Sequence, residues 1–443
     1  MQKKSITQIK IAVIIIYITA FSFKATAQFT VGGQLLQRAE YRNGYGKLIE
    51  ESQKAAFFIG QRARIHVQYD HENVKFYMSI QDIRTWGSTS QVKETDNFLS
   101  VHEAYAEIPF GENWKAKVGR QELNYDNVRF LGNLDWALQA RAHDFALVKY
   151  EKDEMKFHFG AGYNQVKESL VNQPYTIPNQ YKSAQIFRVE NQWRNVKVSI
   201  LFWNNGLAQL THDTLGNVTN ETVRYSQTLG IPTLQYTAGQ FTLSGFYYVQ
   251  FGRDVTNKKI KAYDLSAQAT HKITFDEEKG SKFQIMLGFE ILSGTSQQPS
   301  DNINHSYNPF YGTNHAHNGY MDFFYVGNRY LNTVGLQDYF VRLCYDRNNK
   351  FFISLNAHHF LAAADVYDGT EKLSNALGTE IDFTSGYILN DVVSLQLGYS
   401  QFFVNTTFKH VQGVSDPSSV QNWGYVALML RPGMKNRFVG LLF

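Results

Sequence analysis

The stretch FFIGQRARIHVQYD, Phe57–Asp70, decides the fold. On an extended chain Ala63, Ile65, Val67 and Tyr69 fall on one side, and Arg62, Arg64, His66 and Gln68 on the other. One apolar and one polar face at a period of two is the signature of a β-strand with different surroundings on its two sides. The pattern recurs outward along the chain. In SKFQIMLGFEI (Ser281–Ile291), Phe283, Ile285, Leu287, Phe289 and Ile291 oppose Lys282, Gln284, Gly288 and Glu290. NVKVSILFW (Asn195–Trp203), NALGTEIDF (Asn375–Phe383) and DVVSLQLGYSQ (Asp391–Gln401) repeat it. Counted this way, the chain carries about eighteen strands, at a spacing that transmembrane barrels tolerate. Aromatic residues make up 15% of the chain and proline is scarce, a vocabulary of strands and turns.

The N-terminus reads as a secretory signal. Lys3, Lys4 and Lys10 precede the short apolar run Ile11–Phe23, and Ala25-Thr26-Ala27 is a small-residue cleavage site. Residues 1–27 are therefore expected to be removed, leaving one domain over 28–443 that begins at Gln28. Lys3, Lys4, Lys10 and Lys24 account for the whole formal charge of +4, so the mature chain is near neutral. Whole-chain electrostatics then gives no reason to expect a nucleic-acid partner. Cys344 is the sole cysteine, which excludes an internal disulfide and cysteine-type zinc sites.

Alternating strands suit a soluble sandwich or a membrane barrel, and the connections separate them. YDHENVKF, PFGENWKA, EKDEMKF, QWRNVKV, YDRNNKFF and ILNDVVS are tight. The intervening connections are longer and polar, among them GSTSQVKETDN, VKESLVNQPYTIPNQYKS, THDTLGNVTNET and the segment Ser293–Asp322. Short periplasmic turns alternating with long extracellular loops define an up-and-down barrel. Trp86, Phe98, Trp114, Trp193, Trp203 and Trp423 sit near strand ends, where an interfacial girdle is expected. The expected fold is thus an all-β, transmembrane, antiparallel barrel in the outer membrane of a Gram-negative bacterium. Its last strand is either 422–431 or includes 436–443.

A second stretch, GRQELNYDNVRFLGNLDWALQARAHD (Gly119–Asp144), is charged and fits no helix period. In a barrel such charges belong in the lumen or at a rim. This run resembles the signature of the alginate-export family of outer-membrane porins. So do QDIRTWG (Gln81–Gly87), SVHEAYAEI, NPFYGTNHAHNGYMDFFYVG and LGTEIDFTSGYILNDVVSLQLGYSQFF, in order from about Gln61 to Trp423. The resemblance implies an eighteen-stranded barrel, a monomer, with an arginine-lined constriction. Carried onto this chain, it assigns Arg62, Arg64, Arg84, Arg120, Arg129 and Arg141 to an anion path. Asp82, Glu103, Glu122, Asp135 and Asp144 become the acids that orient them. Arginine suits this role because its planar fork binds carboxylates and stays charged.

The expected function is passive diffusion of anionic solutes, most of all acidic uronate saccharides such as alginate, with outer-membrane lipid and possible periplasmic export partners around it. A general small-solute porin and a plugged barrel with a loop-binding role are the alternatives. No cofactor or metal is expected. The histidines of NHAHN read as a packed loop at the barrel mouth, and DVYDGTE (Asp365–Glu371) lacks full EF-hand spacing. Neither G-x-S-x-G nor H-E-x-x-H occurs, so the chain reads as no enzyme.

Overall fold

The computed structural model describes residues 29–93, 98–276, 278–435 and 438; the signal segment and nearly all of 436–443 lie outside them. Among the described residues eighteen strands form the barrel wall. They are β1 (Phe29–Asn43), β2 (Ala56–His71), β3 (Val74–Thr85), β4 (Leu99–Pro109), β5 (Trp114–Gln121) and β6 (His143–Lys152). Then come β7 (Met155–Tyr163), β8 (Ser183–Trp193), β9 (Val196–His212), β10 (Val218–Ala238), β11 (Phe241–Arg253) and β12 (Lys259–Asp276). The last six are β13 (Ser281–Leu292), β14 (Leu336–Arg347), β15 (Phe351–Leu361), β16 (Ala376–Ile388), β17 (Val393–Val404) and β18 (Gln421–Leu430).

Each strand pairs antiparallel with the next, and β18 returns to β1, with Leu35 opposite Leu430 and Asn43 opposite Asn422. Among the described residues the strand that closes the barrel is Gln421–Leu430; the other expected ending, 436–443, falls almost wholly outside them. Closure leaves no sheet edge whose unpaired amides would face hydrocarbon. The tight connections gather at one end and the long ones at the other. One segment expected as a long connection behaves differently: THDTLGNVTNET extends β9 and β10 as a hairpin, with only residues 213–217 as its loop.

The alternation sets the two faces. Ile65, Leu243, Leu287, Leu397 and Val426 are exposed on the outer surface, as a lipid-facing band requires. Arg62, Arg64, Ser79, Gln81, Gln250, Asn356 and Gln396 are buried on the inner face. Trp86 and Trp193 are exposed as a girdle requires, but Trp203 and Trp423 are not. Their parity turns them inward, where Trp203 lies 5.6 Å from the Tyr311 ring and Trp423 lies 5.6 Å from Trp136.

Candidate functional site: a lumen crossed by two loops

Two of the long connections turn back into the barrel. Residues 122–142, between β5 and β6, bury Leu123, Phe130, Leu131 and Trp136. Residues 293–335, between β13 and β14, bury Tyr307, Tyr311, Met321, Phe323 and Phe324. Side chains this apolar would be unfavourable on a solvated loop, and burial of each stabilises the inserted position by roughly 1.5–3 kcal/mol. The loops also bond to each other. The Gly132 amide donates to the Tyr311 carbonyl at 2.9 Å, and the Thr313 amide to the Val128 carbonyl at 2.9 Å. Two glycines permit this approach: a Cβ on Gly132 would sit 2.3 Å from Thr313 Oγ1, and one on Gly312 would sit 2.0 Å from the Arg129 carbonyl oxygen.

The charges of Gly119–Asp144 act mainly as fasteners for this insertion. Arg129 is fully buried, with Nε 2.8 Å from Glu290 Oε1 of β13 and 3.3 Å from Asp264 Oδ2 of β12. Its Nη2 donates to Asn318 Oδ1 at 2.7 Å. Six residues on, Asp135 reaches another part of the wall and accepts from Arg62 Nη2 at 2.8 Å. Arg62 also donates to Gln34 Oε1 and to the carbonyls of Asp135, Ala137 and Leu138. Trp136 lies under the Arg38 guanidinium, 4.0 Å away, and stacks on His315 at 4.2 Å. The longer loop is held by an acidic arc. Asn318 Nδ2 donates to Glu290 Oε2 at 2.8 Å and to Asp338 Oδ2 at 3.2 Å, and the Met321 amide donates to Glu380 Oε1 at 2.7 Å. Glu290 and Asp338 are directly opposed across β13 and β14, a like-charge pair made tenable by the donors aimed at them.

The sequence-assigned arginines do not converge on one constriction. Arg62 and Arg129 are ion-paired inside. Arg64 is buried and donates to Gln81 Oε1 at 3.0 Å and 2.5 Å; among the described residues no carboxylate pairs with it. Arg141 is held by the carbonyl oxygens of Gly312 (2.9 Å) and Gly132 (3.4 Å), again without an acid in ion-pair range among the described residues. Burial lowers its pKa to about 10, which leaves it charged at neutral pH. Arg84 and Arg120 lie elsewhere. Arg84 shares the outward parity of Ile80 and bonds Asp82 beside it, near the exposed Trp86. Arg120 shares the parity of the exposed Val118 and pairs with Asp144 across the β5–β6 ladder at 2.9 Å, both groups well exposed. The register thus puts these two pairs on the outer face at the long-loop rim, not in the lumen. Of the remaining acids, Glu122 bonds His102 Nε2 (2.9 Å), and Glu103 Oε1 accepts from the Glu122 amide (3.0 Å); among the described residues neither makes an ion pair with an arginine.

Space remains beside the loops. One cavity of about 260 Å³ is lined by Asn127, His317 and Asn318 from the loops and by Lys197, Glu190, Gln268 and Arg342 from the wall. Another, of about 410 Å³, lies against β3–β7 and is lined by Tyr77, Glu103, Tyr105, Lys117, Glu122, Lys149 and His158. Lys117 and Arg342, which sequence reasoning did not select, face these cavities and pair with no carboxylate among the described residues. The signal for Lys117 was its parity: WKAKVGRQ alternates lysine and apolar residues, which puts Lys115 and Lys117 inside.

A closed eighteen-strand barrel with an apolar outer band and a polar, loop-crossed interior defines an integral outer-membrane porin. The chain belongs to the alginate export family, whose profile it matches over residues 27–421. Solved structures of the same fold include OpdK from Pseudomonas aeruginosa with vanillate (11% identity, TM-score 0.57, covering 90% of this chain and 98% of that one). OccAB4 from Acinetobacter baumannii gives 11% identity and a TM-score of 0.58 over 92% of this chain and 98% of that one. OpdQ from Pseudomonas aeruginosa gives 12% and 0.56 over 91% and 97%. No curated protein matches the sequence.

Proposed function

We propose that this porin is a passive channel for anionic solutes, with acidic uronate saccharides such as alginate as the foremost class. The observation that carries the reading is that Lys117 and Arg342 stand on lumen cavities with no carboxylate ion-paired to them among the described residues. Arg64 adds a third such cation on the inner wall. Several separated cations attract an anion without trapping it, which conduction requires. The buried ion pairs of Arg62 and Arg129 shape the passage and add little free field. The test is reversal potential in a planar bilayer under a salt gradient, followed by addition of an oligo-uronate. Anion selectivity and current block support the proposal; Lys117→Gln with Arg342→Gln should weaken the selectivity. A non-selective current without block would instead identify a general small-solute porin.

The depth to which residues 122–142 and 293–335 fill the lumen favours a second reading, a plugged barrel whose outer loops bind a partner. It predicts no steady conductance from the folded protein.

A further inference from the structure

We propose that His102, Glu103 and Glu122 form a binding site for a borderline divalent cation, of the zinc class, on the wall of the 410 Å³ cavity. One ligand atom from each lies within 4.8 Å of the other two. The backbone builds this cluster by an irregularity. Along the β3–β4 ladder Ser79 faces Glu103 and Ile80 faces Val101, so His102 has no partner and the ladder bulges there. A bulge adds one residue and breaks the alternation of faces. Consecutive residues His102 and Glu103 are consequently both buried, where a regular strand would send one of them outward. Glu122 arrives from the other side, as the first residue after β5.

A second observation points to a cation. Glu103 is buried and Glu122 is half-buried, yet among the described residues neither makes an ion pair with lysine or arginine. The lysines that share the cavity form no ion pair with them: Lys117 lies over the Tyr105 ring at 3.8 Å, and Lys149 is 3.6 Å from Glu107. Two adjacent carboxylates in such a place need a proton or a cation between them. The imidazole decides in favour of a metal. His102 Nε2 already lies 2.9 Å from Glu122 Oε1, and an ion bridging both would replace that single hydrogen bond. Zinc bonds to nitrogen and oxygen are about 2.0–2.2 Å long, so ligand atoms about 3–3.5 Å apart suit it. Imidazole with carboxylates is a donor set that zinc accepts, and three protein ligands leave a position open toward the cavity. Glu122 Oε2 accepts from Asn133 Nδ2 at 2.8 Å, so the bound ion would fasten the entry of the inserted loop to the wall.

The experiment is a zinc titration of the folded, detergent-solubilised barrel against a chromophoric chelator. Folding of every variant is confirmed by heat-modifiable gel mobility. Wild type is expected to take up one Zn2+ per chain. Glu103→Gln and His102→Gln, which keep the side-chain size, are each expected to weaken uptake by about tenfold or more. His71→Asn, at an exposed histidine, is the control and should bind as wild type does. Absence of one-to-one uptake by the wild-type barrel overturns the proposal. So does wild-type affinity in a folded Glu103→Gln or His102→Gln barrel, or loss of uptake in the control. These outcomes are independent of which solute the channel carries.

Discussion

Arg129 and Arg120 are nine residues apart in one charged run and have opposite fates. Arg129 is fully enclosed between Glu290 and Asp264, so removing it strands two buried carboxylates. Arg129→Met should destabilise the barrel by about 3–5 kcal/mol, the range for breaking a buried ion pair from one side. The measurement is the urea midpoint for unfolding in micelles or vesicles. Arg120 makes its pair with Asp144 in the open, at 40% and 54% side-chain exposure. Arg120→Gln should change stability by under about 1 kcal/mol and leave the reversal potential where it was. A shift in reversal potential would mean that the rim pair faces the ion path after all. The difference was partly legible in the sequence. Val118 and Arg120 share one parity, Lys117 and Gln121 the other, and the apolar parity is the lipid side. For Arg84 the same argument runs through Met78 and Ile80. Family resemblance weighed the arginines equally, whereas strand parity would have separated them.

At the scale of elements, period-two alternation marked the strands because each divides water from lipid, and that division acts on every second residue. The inserted loops left no such mark. Arg129 meets Asp264, 135 positions away, and Asn318, 189 positions away. No local pattern encodes contacts of that range. The bulge at His102 was hidden for a related reason: it is a property of the β3–β4 register, not of either strand alone. What the sequence did display was the two segments themselves: the long connection holding NPFYGTNHAHNGYMDFFYVG, whose histidines read as a packed loop at the barrel mouth, and a charged run that fits no helix period. The loop–loop contact can be tested directly. Gly312→Ala places a methyl 2.0 Å from the Arg129 carbonyl oxygen, a distance only backbone movement can relieve. Residues 122–142 and 293–335 should then separate. Single-channel recordings are expected to show a larger and noisier open current than wild type. An unchanged current trace would mean that the two loops do not border the ion path.

The whole molecule is a neutral-outside, charged-inside cylinder in which the charges are unevenly placed. Asp264, Glu290, Asp338, Glu380 and Asp382 form a buried acidic arc over β12–β16, and the segment 293–335 covers much of it through Asn318 and Met321. The anion preference proposed above therefore depends on the loop as well as on Lys117, Arg342 and Arg64. The base of this loop suits a clean excision. The Thr295 amide donates to the Thr333 carbonyl at 2.9 Å, so the two ends already lie side by side, with Gly294 and Gly335 adjoining. Joining them by a short turn in place of residues 296–332 leaves the pairings among the eighteen wall strands and the β1–β18 seam untouched, and removes only the short parallel pairing of Ile303–Asn304 with Lys259–Ile260. The shortened chain should still fold to a heat-modifiable barrel. Its conductance should rise several-fold, and its reversal potential should move toward cations, because the uncovered carboxylates would then line open water. A wider channel that stayed anion-selective would locate the selecting charges away from the arc, on the β2 and β5 walls. A conductance no greater than wild type would show that the loop does not fill the pore.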